Sequence, residues 1–198
     1  MNNSFDQNLP KWAYDVLSFW FHQLKPADWF SVSDEVDARI IEQFKPTLEE
    51  VSQLAQDEQE SLLSSAYLAL AAIIVLDQFP RNIFRGQRQA FDYDERAFNM
   101  AKLAVEKGLD QLIPTDMRSF AYMPFMHHES LDAQHQAVSL FSNLGNKNGT
   151  DYAIKHRDII KKFGRFPHRN DILSRPSTPD ELDYLRDAET FGVPQDKG

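Results

Sequence analysis

The sequence predicts an all-α fold, and three observations carry that prediction. Apolar residues recur at three- and four-residue spacing along most of the chain, and no stretch shows the strict alternation of a half-buried strand. Helix start and stop signals punctuate the chain at intervals of about ten to twenty residues. Fifteen phenylalanines against seven glycines suit interlocking helices better than a turn-rich sheet structure. At 198 residues, 42% hydrophobic and 26% charged, the chain can bury a real core, and no Gly-, Pro- or Ser-rich linker divides it. A single helical domain over 1–198 is expected.

Pro10 suits the first turn of a helix that carries Trp12, Val16, Phe19, Trp20 and Leu24 at helical spacing. After a loop from Lys25 to Ser33, a second helix covers 34–44 and stops before Pro46, whose ring and missing N–H oppose continuation. Thr47 and Glu50 form a T-x-x-E capping box that opens a short third helix. Asp57 with Glu60 repeats the pattern, opening a long apolar helix that ends near Phe79, with Pro80 as its stop. Asp92 and Glu95 cap a helix to Lys107, which Gly108 terminates in the left-handed conformation. Pro114-Thr115 opens the next, interrupted at Pro124. From about Ser130 another helix shows Leu131, Val138, Phe141 and Leu144 on one face and ends at Gly145. Thr150 caps 151–163, Gly164 ends it, 165–177 is irregular, and Thr178-Pro179-Asp180-Glu181 opens a last helix over about 179–189. The total is eight or nine helices. One short echo stands out: Phe79-Pro80-Arg81-Asn82 and Phe166-Pro167-His168-Arg169-Asn170 both follow a helix end, which hints at related local geometry.

Composition narrows the function. The net charge of −9 argues against general nucleic-acid binding. The charge is uneven: residues 1–60 hold 12 acids and 4 bases, whereas 151–176 hold 7 bases and 3 acids, so a basic face on an acidic protein is expected. The absence of cysteine excludes disulfides, thiolate metal sites and a cysteine nucleophile. The N-terminus, MNNSFDQNLPKW, lacks the basic and apolar regions of a secretory leader, and the longest apolar run, Leu62 to Leu76, is too short to span a bilayer. A cytoplasmic protein that enters no membrane is expected. No P-loop, dinucleotide fingerprint or G-x-S-x-G elbow occurs, so no cofactor is expected.

Three polar clusters interrupt this apolar pattern. In the first, Asp77 ends an apolar helix, where the dipole disfavours a carboxylate unless a cation pairs with it; Arg81 and Arg85 are the candidates. In the second, His156, Arg157, Arg165, His168, Arg169 and Asn170 fall close together, and arginine forks suit bidentate recognition of carboxylate or phosphate. In the third, His127, His128 and Glu129 are adjacent. Neighbouring helix positions do not face one way, and the spacing matches no zinc signature, so no metal site is expected. The structural alternatives are a buried Asp–Arg pair for the first, arginines that cap carbonyls and pair with the acidic N-terminal half for the second, and a histidine hydrogen-bonded within the core for the third.

VLDQFPRNIFRG (75–86), YMPFMHHES (122–130), HRDIIKKFGRFPHRN (156–170) and STPDELDYL (177–185), with VLSFWF (16–21) and DWF (28–30), resemble the bacterial family catalogued as domain of unknown function 924. The resemblance covers nearly the whole chain. It implies a tetratricopeptide-like α–α superhelix and no settled activity. Together these readings give an expected ligand site lined by Asp77, Arg81, Arg85, His127, Glu129, His156, Arg157, Arg165, His168, Arg169 and Asn170. It would take an anionic small molecule or the acidic group of a peptide. The alternatives are an enzyme with a histidine general acid/base and arginine charge stabilisation, or a protein-interaction scaffold.

Overall fold

Helices make up every regular element among the described residues, as the apolar spacing requires. The computed structural model describes Phe5, residues 8–188 and Phe191, apart from the side chains of Gln56 and Asp57. Part of the N-terminal segment read for a leader, residues 1–4, 6 and 7, lies outside the described residues. Helix α1 (Lys11–Ser18) follows Pro10 and runs on into a wider turn over Phe19–Gln23, burying Val16, Leu17, Phe19 and Trp20.

Helix α2 (Asp34–Gln53) is capped by the Ser33 hydroxyl, which accepts from the Val36 N–H. It crosses Pro46 instead of stopping before it, and the Thr47–Glu50 pair opens no helix of its own. Packing overrides the proline because Phe44 and Leu48, on either side of it, are both buried on one face. The Glu42 carbonyl that Pro46 cannot satisfy lies on the exposed side, where solvent can take it. Pro46→Ala is therefore expected to raise stability, by at most ~3 kcal/mol. A lowered melting temperature would show instead that the proline shapes the helix.

The apolar run does not form one helix from Asp57. Helix α3 (Gln56–Ser61) is short, its first turn held by the Glu58 carboxylate accepting from the Ala55 N–H; the Asp57 side chain of the expected box lies outside the described residues. A tight turn over Leu62–Ser64 and extended Ser65 then break the chain before α4 (Ala66–Asp77). Every residue of α4 from Leu68 to Asp77 is buried, so this is the central helix. Pro80 ends α4 but also sits in the first turn of α5 (Phe79–Ile83), where no N–H is needed.

Helix α6 (Asp94–Glu106) starts after Tyr93 with no side-chain cap, two residues past the expected Asp92, which leaves Asp94 to pair elsewhere. Helix α7 (Thr115–His127) continues through Pro124, which is buried in a densely apolar stretch. Helix α8 (Leu131–Asn143) is followed by α9 (Lys147–Phe163), whose cap is Asn146, accepting from the Gly149 N–H, not Thr150. Gly108, Gly145 and Gly164 take the left-handed conformation expected at the ends of α6, α8 and α9. Helix α10 (Pro179–Leu185) has the full Thr178–Glu181 capping box; the expected extension to Glu189 lies outside the described residues.

Helix α4 packs against α1, α2, α6 and α7, while α6, α7, α8 and α9 each pack on the next. No described helix is long and apolar enough to cross a membrane. The C-terminal ends of α4 and α7 come together at Asp77 and His127, and the site is built there.

Candidate functional site

Asp77 is completely buried at the last position of α4. His127 Nδ1 lies 2.8 Å from one carboxylate oxygen and 3.0 Å from the other. Arg81 Nη1 is 3.5 Å from Asp77 Oδ1 and donates to the Asp77 carbonyl at 2.6 Å, while the Gln78 amide donates to Oδ2. Burial opposes the Asp77 charge, but His127, Arg81 and these hydrogen bonds overcome it and hold the carboxyl at about 2. Burial also pushes His127 below the ordinary imidazole range, in spite of Asp77. His127 is accordingly neutral at neutral pH, its Nδ1–H donated to an ionised Asp77. Its Nε2 makes no hydrogen bond among the described residues, and its side chain stays 18% exposed.

The turn after α7 is pinned from two sides. Gln134, fully buried, donates its amide to the Met126 and His128 carbonyls, both at 2.7 Å. Arg169 Nη2 donates to the His127 carbonyl at 3.0 Å. Arg81 and Arg169 thus serve carbonyls at the negative ends of α4 and α7, where a cation is favoured. Asp94 then joins the two arginines: its Oδ2 accepts from Arg81 Nη2 and from Arg169 Nη1, each at 3.1 Å. The Phe91 ring lies beneath both guanidiniums, 4.7 Å from that of Arg169, and Phe166 is 4.5 Å from Arg169. Burial, eased by Asp94, lowers Arg169 to about 10, so it remains charged at neutral pH; its Nε–H is buried without a hydrogen-bond partner among the described residues. The FP-(x)-RN echo has a geometric meaning here: each proline sits in the first turn of a short helical segment, and the two arginines meet on one carboxylate.

His156 lies against this cluster, its ring 6.5 Å from that of His127 and its Nδ1–H donated to the Tyr152 carbonyl. His168 is buried beside Phe166. Burial, reinforced by the nearby cations, depresses both imidazoles to about 3. A histidine whose folded pKa is depressed takes up its proton on unfolding. Each therefore contributes stability that is complete above its unfolded value of about 6.5 and is lost as pH falls towards 3. Urea denaturation is expected to show stability declining from about pH 6.5, before the carboxylates of Asp77 and Glu181, both held at about 2, begin to count near pH 4. A flat profile between pH 6 and about 4.5 would contradict the burial of neutral imidazoles.

The other predicted residues do not reach this cluster. Arg85 clasps Asp37 through both Nε and Nη2, with Asn82 on the same carboxylate, and so ties the end of α5 to α2. Arg157 pairs with its exposed neighbour Asp158. Arg165 binds Glu181 and lines a separate depression of about 410 Å³ with Lys162, Phe163, Thr178 and Asp180. Glu129 accepts from Arg175 and from the Phe166 N–H, and Asn170 bonds Ser177, Glu181 and Arg175. These three fold the 164–178 segment that carries Arg169. His128 is turned away to Glu95 and stacks on Phe98. Sequence reasoning missed Asp94, Gln134 and Arg175. Asp94 is a first-turn acid of α6, and nothing in the sequence sets it apart from Asp92 and Glu95 beside it.

The profile of the bacterial protein of unknown function family, DUF924, matches residues 16–189, and the chain belongs to that family. A protein of unknown function from Agrobacterium tumefaciens, ATU0120, has a solved structure that superposes with a TM-score of 0.82 at 37% identity, covering 89% of this chain and 97% of that one. No curated protein matches the chain.

Proposed function

We infer that the chain binds a small molecule carrying a carboxylate or phosphate, or the acidic end of a peptide, at the edge of the Arg81–Asp94–Arg169 cluster, with His127 facing it. The observation that supports this is the meeting of two guanidiniums on one carboxylate, beside an oriented His127. The His127 Nδ1 is fixed by an ionised, buried Asp77 while Nε2 makes no bond among the described residues, beside two arginines. A carboxylate that orients an imidazole and leaves its far nitrogen available is the arrangement general bases use. Arg81 and Arg169 are already matched by Asp94, so an incoming anion takes Asp94's place on one or both forks. The same observation favours an enzyme as the second reading, in which His127 removes a proton from the bound molecule and the arginines stabilise the negative charge that develops.

The fold reading that goes with this is a tetratricopeptide-like superhelix, supported by the consecutive packing of α6 through α9. A scaffold that grips a peptide takes first place if no anion binds.

The test is a thermal shift at matched ionic strength, with phosphate esters at low millimolar concentration in place of chloride. A ligand at 100 times its dissociation constant stabilises by about 2.7 kcal/mol, a shift of several degrees in a domain of this size. Arg165→Ala, in the separate depression, is expected to leave the shift intact. No shift with any phosphate or carboxylate, alongside an unperturbed His127 resonance, would remove the binding reading.

A further inference from the structure

Phe191 is the last described residue, and its backbone is unusual. Its φ of 50° lies in the left-handed region, which a bulky side chain adopts only when surrounding contacts hold it there. The contacts that hold it are made by its ring. The ring centroid lies 4.1 Å from that of His156, 5.3 Å from that of His168 and 6.5 Å from that of Tyr152. Phe191 also packs with Ile159, Ile160 and Phe166 in a small apolar cluster separate from the main core. The surfaces it covers belong to the candidate site. His156 is next to His127, and Phe166 lies against the Arg169 guanidinium. Two buried imidazoles, their planes tilted by 43° and 54° to the Phe191 ring, and the Phe166 side chain, close to a paired arginine, form an aromatic-lined slot filled by a ring from the chain itself.

We propose that Phe191 occupies an aromatic-binding slot of the candidate site, and that the ligand carries a flat ring beside its anionic group and takes the slot by displacing Phe191. This rests on the anion reading above and names its substrate class. An aromatic ring packs in tilted contact with the two imidazoles and against Phe166 without needing any hydrogen bond, as Phe191 does. An anionic group attached to such a ring is directed towards the Arg169 guanidinium. An internal occupant lowers apparent affinity by the fraction of time it leaves the slot open, so a slot filled nine-tenths of the time weakens binding about tenfold.

The experiment compares phenyl phosphate, inorganic phosphate and phenol on the full chain, its Phe191→Gly variant and its Phe191→Tyr variant, by calorimetry and by the ring resonances of His156 and His168. Glycine accepts the positive φ without strain and empties the slot; tyrosine keeps it filled. Phenyl phosphate is expected to bind Phe191→Gly about tenfold more tightly than the parent, while Phe191→Tyr stays at the parent's affinity and inorganic phosphate does not change. Should Phe191→Gly fail to fold, Phe191→Asn, which also tolerates the left-handed conformation, empties the slot of its ring and carries the same comparison. Phosphate binding with no gain for phenyl phosphate overturns the slot and leaves the anion reading standing. Phenol shifting both histidine resonances in Phe191→Gly, with no phosphate binding, keeps the slot and removes the anion reading. No response to any of the three probes overturns both.

Discussion

Asp77→Ala is expected to cost about 3–5 kcal/mol, because it leaves the Arg81 charge short of a buried partner and strips His127 of its acceptor. Asp77 has no exposed surface, and the groups around it were arranged for a negative charge: an imidazole at 2.8 Å, a guanidinium at 3.5 Å and the Gln78 amide. Removing the carboxylate also opens a hole at the end of the central helix, where neighbours cannot collapse freely. Urea denaturation gives the loss directly. Asp77→Asn separates charge from shape. It preserves the volume and one acceptor, so it is expected to lose less, while the nitrogen chemical shifts of His127 report a change in which ring nitrogen carries the proton. A melt that barely moves in both variants would show that Arg81 relies on Asp94 alone, and the anchored-imidazole reading of His127 would fall with it.

Asp77 was legible in the sequence because it breaks a rule. A carboxylate after eleven apolar residues at a helix C-terminus demands a cation, and Arg81, four residues on, supplies it. The arginine and histidine stretches were legible for the same reason: polar groups stood where packing alone would not place them. What the sequence could not say is which carboxylate each arginine finds. Arg165 and Arg169 are four residues apart, yet one pairs with Glu181 and the other with Asp94, 75 positions away in the chain. That choice is made by the fold of the 164–178 segment, through Arg175 and Glu129. The helix boundaries went astray where tertiary packing outvotes local propensity, at Pro46 and Pro124, and where an extended serine, Ser65, broke an apolar run that composition alone reads as continuous.

Asp94→Ala is the variant that separates a structural cluster from a binding site, and its expected cost is also about 3–5 kcal/mol. Among the described residues Asp94 is the carboxylate that bonds Arg169, with Glu129 acting from farther off; the other fork nitrogen goes to an uncharged carbonyl, and Asp94 shares Arg81 with Asp77. Without it, two buried or half-buried guanidiniums face each other across the space the carboxylate filled. Their mutual repulsion and desolvation then destabilise the fold. That space has the shape and charge of a carboxylate site, so acetate or formate is expected to restore a large part of the lost stability to Asp94→Ala, with a saturable dependence on concentration and no comparable effect of chloride. The double variant Asp94→Ala/Arg169→Ala closes the argument. It removes most of the surplus charge, so it is expected to be more stable than Asp94→Ala alone and to lose the acetate response. A purely structural cluster predicts the same loss and the same relief in the double variant, but only in Asp94→Ala would acetate act, and inorganic phosphate would leave the parent protein unchanged. Phosphate that stabilises the parent, and competes with acetate in Asp94→Ala, shows that a ligand can take Asp94's place on Arg81 and Arg169 in the natural sequence. Acetate that rescues nothing would show the two forks closed to any incoming anion, and binding at this edge would be ruled out.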